Sequence, residues 1–471
     1  MYDDDRIHEE CGVFGIWDAV KQDVAKDIYY GLLALQHRGQ ESAGIATCSS
    51  TGERGNISVH KDMGQVTNVF NEKILDAMEG NLGVGHVRYS TTGSSTVQNA
   101  QPVVSYYLKG TLALVHNGNI VNSNELRQQL MEEGGTFRAT TDSEVIHVLI
   151  ARNRAETRSI EESVKKTIPQ LQGGYALIIM SPRKLVAARD PWGLKPLCIG
   201  RTESGYVLAS ESCALSAVGA EFVRDVKPGE IITVSKHGLE SDTALCLEDQ
   251  PHAHCVFEYI YFARLDSKID GVDVYDARFR GGQTMAEAFP VEADIVAGVP
   301  ESGLTAAAGY ADRAGIPFTQ LFHKNSYIGR TFIKPTQAER EAAVHMKLNV
   351  LKSVAKGRRI VLIDDSIVRG TTMANLIKEL RAAGALEVHV RISSPQFLYP
   401  CYYGTDIPDN SQLIADRLTV EEIRQFIGAD SLHYMRIEDL EKMTGGLPLC
   451  KACFTGKYPT KINDEEVGKN V

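Results

Sequence analysis

At 471 residues the chain is too long for one ordinary core, so two or three domains are expected. Its 50 basic and 60 acidic residues leave a net charge of −10, and no basic block is dense enough to follow a phosphate backbone, which argues against nucleic acid as a partner. There is no apolar run near the ~18 residues of a membrane span and no basic, hydrophobic signal sequence, so a cytoplasmic chain is expected; nine cysteines, an odd number, point to metal ligation or catalysis rather than a disulfide framework.

Residues 1–10, MYDDDRIHEE, are too few and too acidic to form a domain. From Cys11 to Ser241, short β-like runs ("CGVFGIWD", "LGVGHVRYS", "TLALVHNG", "YALIIMSP", "KLVAARD", "EIITVSK") alternate with turn clusters, and "NELRQQLMEEGG" and "SEVIHVLIARNRAE" carry helical spacing. This pattern predicts an α+β domain rich in antiparallel strand. After the turn-rich "SKHGLESDTALCLEDQPHAH" the texture becomes strand, polar loop, helix and strand again, which predicts a parallel, doubly wound α/β domain. The expected division is a leader at 1–10, a first domain at 11–241, a connection at 242–257, a second domain at 258–440 and a carboxyl-terminal segment at 441–471, with a polar tail.

Cys11 raises a chemical question, because a free thiol titrates near 8.5 and needs a base to act as a nucleophile at neutral pH. An α-amine titrates at ~7.7 to 8.0 and could serve, provided residues 1–10 are removed so that Cys11 carries it. A small buried cysteine near an unprocessed start is the alternative. Four further motifs follow in order: "LQHRGQESAGIA" (35–46), "GVGHVRYSTTGSS" (83–95), "HNGNI" (116–120) and "TTDSEVI" (140–146). Together with Cys11 they resemble the glutaminase domain of the amino-terminal-nucleophile, or class II, amidotransferases, which implies an αββα sandwich. The resemblance also implies that Cys11 attacks the side-chain amide of glutamine and that Asn117 and the Gly118 N–H form an oxyanion hole. Arg88 would hold the substrate carboxylate and Asp142 its ammonium, with residues 1–10 a propeptide. Read singly, Asn–Gly could be a hairpin turn, Arg88 an ordinary strand arginine and Asp142 a helix cap.

"VLIDDSIVRGTT" (361–372) places a polar loop at the carboxyl end of a strand and ahead of a helix, where open α/β sheets bind ligands. Its consecutive N–H groups suit a phosphate, although the Walker spacing is absent. The loop resembles the signature of type I phosphoribosyltransferases, which implies that Asp364 and Asp365 bind the ribose of phosphoribosyl pyrophosphate (PRPP) and its Mg²⁺. Ser366, Val368, Arg369, Gly370, Thr371 and Thr372 would then surround the 5-phosphate. "VPESG" (299–303) would supply Pro300, Glu301, Ser302 and Gly303 to the pyrophosphate, with Ser302 a further Mg²⁺ ligand. "KNSYIGRTFIKPTQAERE" (324–341) resembles the family's flexible loop and offers Lys324, Arg330 and Lys334 to phosphate; an ordinary solvated loop is the alternative. His345 stands where the family would carry Arg or Lys.

The two halves together resemble the glutamine phosphoribosylpyrophosphate amidotransferases of purine synthesis, in their iron–sulfur and propeptide-bearing branch. That implies glutamine hydrolysis in the first domain and displacement of pyrophosphate from PRPP by the ammonia in the second. It also implies inhibition by purine nucleotides and a homotetramer or homodimer. Cys450 and Cys453 form a CxxC pair, which alone could be a redox pair, half of a zinc site, part of an iron–sulfur cluster or unrelated buried thiols, and Cys255 and Cys401 adjoin aromatic runs. By the resemblance these four hold a 4Fe–4S cluster, with structural Zn²⁺ the runner-up. Cys48, Cys198, Cys213 and Cys246 are expected to pack as small hydrophobes. A glucosamine- or asparagine-forming amidotransferase would not need the "DDSIVRGTT" loop, and a nucleotide sensor would not need the glutamine motifs.

Overall fold

The computed structural model describes residues 11–51, 56–89, 95–107, 109–246, 252–325, 348–405 and 413–462. Residues 1–10, Arg330, Lys334 and His345 lie outside the described residues, so the expectations placed on them stay as sequence readings.

The first half holds strands β1 (Gly12–Asp18), β2 (Ser42–Cys48), β3 (Ser58–Met63), β4 (Leu82–Arg88), β5 (Val103–Tyr107), β6 (Gly110–Ile120), β7 (Gly173–Ser181), β8 (Lys184–Arg189), β9 (Cys198–Arg201), β10 (Gly205–Ala209), β11 (Glu221–Asp225), β12 (Ile231–Ser235) and β13 (Gly238–Asp242). They form two antiparallel sheets, in the orders β11-β9-β10-β1-β4-β2-β3 and β13-β12-β8-β7-β6-β5. Side chains alternate between faces along a strand. Val13 and Trp17 of β1 therefore pack between the sheets with Ala113 and Val115 of β6 and Ile178 of β7. Phe14 and Ile16 face the other way and meet Val24, Ile28 and Leu32 of the helix Val24–Ala34. On the far side of the second sheet, Leu112, Leu114, Leu177 and Ile179 pack against Val145, Ile146, Leu149 and Ile150 of the helix Asp142–Glu156. The result is the expected αββα sandwich.

A short strand β14 (His254–Cys255) and the hairpin β15 (Lys268–Ile269) and β16 (Val272–Asp273) lead into the second half. There β17 (Ile295–Gly298), the pair β18 (Phe322–Lys324) and β19 (Leu348–Val350), then β20 (Arg359–Asp364), β21 (Glu387–Ile392) and β22 (Ser431–Tyr434) follow, and β17-β20-β21-β22 make one parallel sheet. Val296, Val361 and Ile363 point to one face, covered by the helices Val274–Ala288 and Gly303–Ala314; Ile360, Leu362 and Val390 point to the other, covered by Thr371–Ala382 and Val420–Ile427. Those first two helices touch backbone to backbone, and a Cβ on Gly282 would collide with the Ala306 carbonyl. The last strand, β23 (Leu449–Cys450), returns to pair in parallel with β14. Cys48, Cys198 and Cys213 are buried as expected, whereas Cys246 is only half-buried. Among the described residues no helix is long and apolar enough to cross a membrane.

Candidate active sites

Cys11 directly precedes β1 and continues its inter-sheet parity, as does Arg88 at the end of neighbouring β4. Asn117 shares a face of β6 with Ala113 and Val115, so strand alternation turns all three toward the gap between the sheets, and His86 Nε2, 3.0 Å from the His116 carbonyl, sets the ends of β4 and β6 side by side. The Asn117–Gly118 pair lies inside β6, paired with Ala176 and Tyr175, and is not a hairpin turn. Gly118 adopts φ +129°, and a Cβ there would collide with the Gly174 carbonyl.

Asn117 is fully buried, and neither atom of its side-chain amide has a hydrogen-bond partner among the described residues. Such an amide is costly to bury unless something arrives to use it. Asp142 opens its helix, but its carboxylate accepts from the Ile120 N–H at 3.1 Å; the N-cap position belongs to Thr141. Arg88 is buried, with Glu41 4.0 Å from its guanidinium. Cys11 Sγ donates to the Tyr89 carbonyl at 3.6 Å. Burial pushes the Cys11 thiol up, while Tyr89, Arg88 and Lys195 pull it back and Asp142 adds to the rise. Lys195, 1% exposed, was not anticipated; the only sequence signal was a lysine set in the apolar "PWGLKPLCIG".

In the second half, the Val299 N–H donates to the Ile363 carbonyl at 2.8 Å and sets the "VPESG" loop beside the end of β20. Asp364, Asp365, Ser366, Val368, Gly370 and Thr372 line one pocket of about 20 Å³, room for an ion or a water. Arg369 of the same loop and Thr371, which opens the following helix, do not line it. Ser302 has a buried hydroxyl without a partner among the described residues, and Lys324 pairs with Glu301 at 3.1 Å. Pro300 and Gly303 lie in this loop, with Gly303 opening the following helix.

Cys255 and Cys450 stand opposite each other in the β14–β23 pair. With Cys401 and Cys453 they line one apolar cavity walled also by Phe257 and Leu194. All four are free thiols, and burial pushes Cys450 up to about 12 and Cys453 well above its ordinary value. Among the described residues no three His, Cys, Asp or Glu side chains are gathered so as to hold a metal ion.

Two family models match the chain: a glutamine amidotransferase domain over residues 86–217 and a phosphoribosyl transferase domain over residues 282–393. The amidophosphoribosyltransferase of Methanocaldococcus jannaschii is 49% identical, over 97% of this chain and 99% of its own. A solved structure described as the allosteric regulatory enzyme of purine biosynthesis superposes with TM-score 0.90 at 44% identity, covering 97% of each chain. The Bacillus subtilis glutamine PRPP amidotransferase, solved with ADP and GMP, superposes with TM-score 0.89 at 44% identity, over 97% of this chain and 98% of its own. The chain therefore belongs to the amidophosphoribosyltransferases of purine biosynthesis, which make 5-phosphoribosylamine, pyrophosphate and glutamate from PRPP, glutamine and water.

Proposed function

We propose that Cys11, freed by scission of the Glu10–Cys11 bond, is the nucleophile of the glutaminase half. Its own amine takes the thiol proton as Sγ attacks the glutamine Cδ. Negative charge then grows on the former carbonyl oxygen, where the Asn117 amide and the Gly118 N–H stabilise it. The protonated amine returns its proton to the leaving nitrogen, NH₃ departs, and water hydrolyses the thioester to glutamate. Arg88 matches the substrate carboxylate as a planar fork, and Asp142 accepts from its ammonium. The buried Asn117 amide, without a partner among the described residues and turned into the same inter-sheet gap as Cys11, carries this reading. It is tested by the mass and amino-terminal residue of the active enzyme: activity in material that still begins at Met1 would overturn it.

In the second half, Asp364 and Asp365 bind the ribose hydroxyls, and Ser366 to Thr372 surround the 5-phosphate. Pro300 to Gly303 bind the pyrophosphate, with Lys324, Arg330 and Lys334 as further phosphate partners. Ammonia displaces pyrophosphate at C1. Ser302, Asp364 and Asp365 offer the hard oxygen atoms that Mg²⁺ selects, and the bound ion neutralises phosphate charge. The orphan Ser302 hydroxyl supports that fit.

The four-cysteine cavity supports a 4Fe–4S cluster. A single structural Zn²⁺ on the same four thiolates is the runner-up. Equal amounts of acid-labile sulfide and iron in anaerobically purified protein would confirm the cluster; stoichiometric zinc would replace it. Purine nucleotides are the proposed inhibitors, supported by the ADP and GMP bound to the Bacillus subtilis relative. A homotetramer or homodimer is the proposed assembly.

A further inference from the structure

The peptide that precedes Asn117 is held by a residue outside the catalytic set. The β5–β6 ladder ends at Val103 opposite Leu114, and two residues further along each chain stand Gln101 and His116. Pro102, between Gln101 and Val103, has no N–H to extend the ladder, and the Gln101 side chain bonds the His116 backbone in its place. Gln101 Oε1 accepts from the His116 N–H at 2.7 Å, and Nε2 donates to the His116 carbonyl at 3.2 Å and to the Ser143 hydroxyl at 3.1 Å. At 4% exposed, this amide has both of its N–H hydrogens and its oxygen engaged.

The segment carrying Gln101 is itself anchored. Lys61 Nζ donates to the carbonyls of Ala100 and Pro102, on either side of Gln101. Asn99 exchanges two bonds with Thr140, donating to its hydroxyl at 2.9 Å and accepting from its N–H at 3.0 Å. Ser143 lies 3.1 Å from His116 Nδ1 and donates to the Asp142 carboxylate at 3.4 Å. A continuous set of hydrogen bonds thus joins the strand bearing Asn117 to the helix opened by Asp142, with Gln101 at its centre.

The Asn117 side chain has no partner among the described residues, so its direction follows from its backbone. On one edge that strand pairs with β7, where Asn117 stands opposite Ala176. On the other edge His116 is bonded by Gln101, and His86 Nε2 lies 3.0 Å from the same carbonyl. An oxyanion donor works by standing in place before charge develops, and a displacement of ~1 Å can cost about 10²-fold in rate. Gln101 is placed to prevent that displacement.

We propose that Gln101 is a positioning residue for glutamine hydrolysis, acting through the His116 peptide on Asn117. This rests on Asn117 having the role given above. The test uses the mature full-length enzyme, the variants Gln101→Met, Gln101→Glu and Asn117→Ala, and each Gln101 variant combined with Asn117→Ala. Glutamine hydrolysis gives kcat and KM, and 5-phosphoribosylamine formation from ammonia and PRPP serves as the control. Gln101→Met should lower kcat roughly tenfold or more with KM changed less than about threefold, while the ammonia reaction stays within about twofold. Gln101→Glu keeps the acceptor for the His116 N–H but cannot donate to the carbonyl, so its kcat should fall between that of Gln101→Met and the parent. In the Asn117→Ala background neither substitution should slow hydrolysis more than about twofold further, because residues that act as one unit are not additive. A parental kcat in Gln101→Met, a loss confined to KM, or losses that multiply in the double variants would overturn the proposal. If Gln101→Met does not fold, Gln101→Glu and its double variant decide. Asn117→Ala hydrolysing glutamine at the parental rate would instead overturn the functional reading, and this inference with it.

Discussion

The Asn119 side-chain amide donates to the Tyr402 carbonyl at 2.9 Å, tying the strand that carries Asn117 to the residue after Cys401. Nearby, a Cβ on Gly404 would stand 3.1 Å from the Gly118 carbonyl carbon. The segment around Cys401 is therefore also a support of the strand that carries Asn117 and Gly118. If the four cysteines hold the proposed cluster, Cys401→Ser is expected to lose iron and sulfide and to lose glutamine hydrolysis in parallel, although no electron is transferred in the reaction. Iron content and glutaminase rate across a series of oxygen exposures should fall together; full hydrolysis in iron-free protein would refute the link.

Removing the Asn117 amide should affect chemistry far more than folding. Asn117→Ala is expected to lower kcat for glutamine hydrolysis by about 10²–10³, the effect of losing one oxyanion donor. Ammonia-dependent synthesis should be unchanged. Because the amide has no partner among the described residues, urea stability should move by no more than ~1 kcal/mol. A large loss of stability with little loss of rate would mark Asn117 as structural.

Ser302 and its neighbour Gly303 should separate in the same way. Ser302→Ala removes a hydroxyl with no partner among the described residues, so it is expected to raise KM for PRPP roughly tenfold without unfolding the enzyme, consistent with ~1.5 kcal/mol for a hydrogen bond to a charged group. Gly303→Ala drives a Cβ into the Ile363 carbonyl and should destabilise by ~1–3 kcal/mol. Steady-state kinetics and thermal melts of the two variants distinguish these outcomes.

Acid should weaken the first half through buried histidines. Burial lowers His147 to about 4 and His86 to about 3, and His147 sits 2.6 Å from the Ser105 hydroxyl. The unfolded chain binds protons near pH 6.5 that the folded chain refuses. Their stabilising contribution is complete above that pH and is lost as pH falls toward the folded values, with a slope of at most ~1.4 kcal/mol per unit for each histidine. His147→Gln should flatten the fall in urea midpoint between pH 7 and pH 5. An unchanged slope would rule out His147 as a contributor.

The sequence by itself carried whatever is contiguous along the chain. The run preceding "DDSIVRGTT", the alternation in "TLALVHNG" and "YALIIMSP", and the spacing of "SEVIHVLIARNRAE" each name their own element, because backbone period and loop chemistry act over a few residues. The helix Val24–Ala34 and the strands β9 to β11 are not among the elements that the local pattern names. Asn117–Gly118 favours a turn when read locally, yet pairing with β7 holds it within a strand. The tertiary structure alone decided that Arg38 lies between Glu211 and Glu258, that Lys195 is buried, and that four distant cysteines share a cavity. Partners for buried charges and thiols come from segments up to 220 residues apart, and only the packing of sheets and helices brings them within bonding distance.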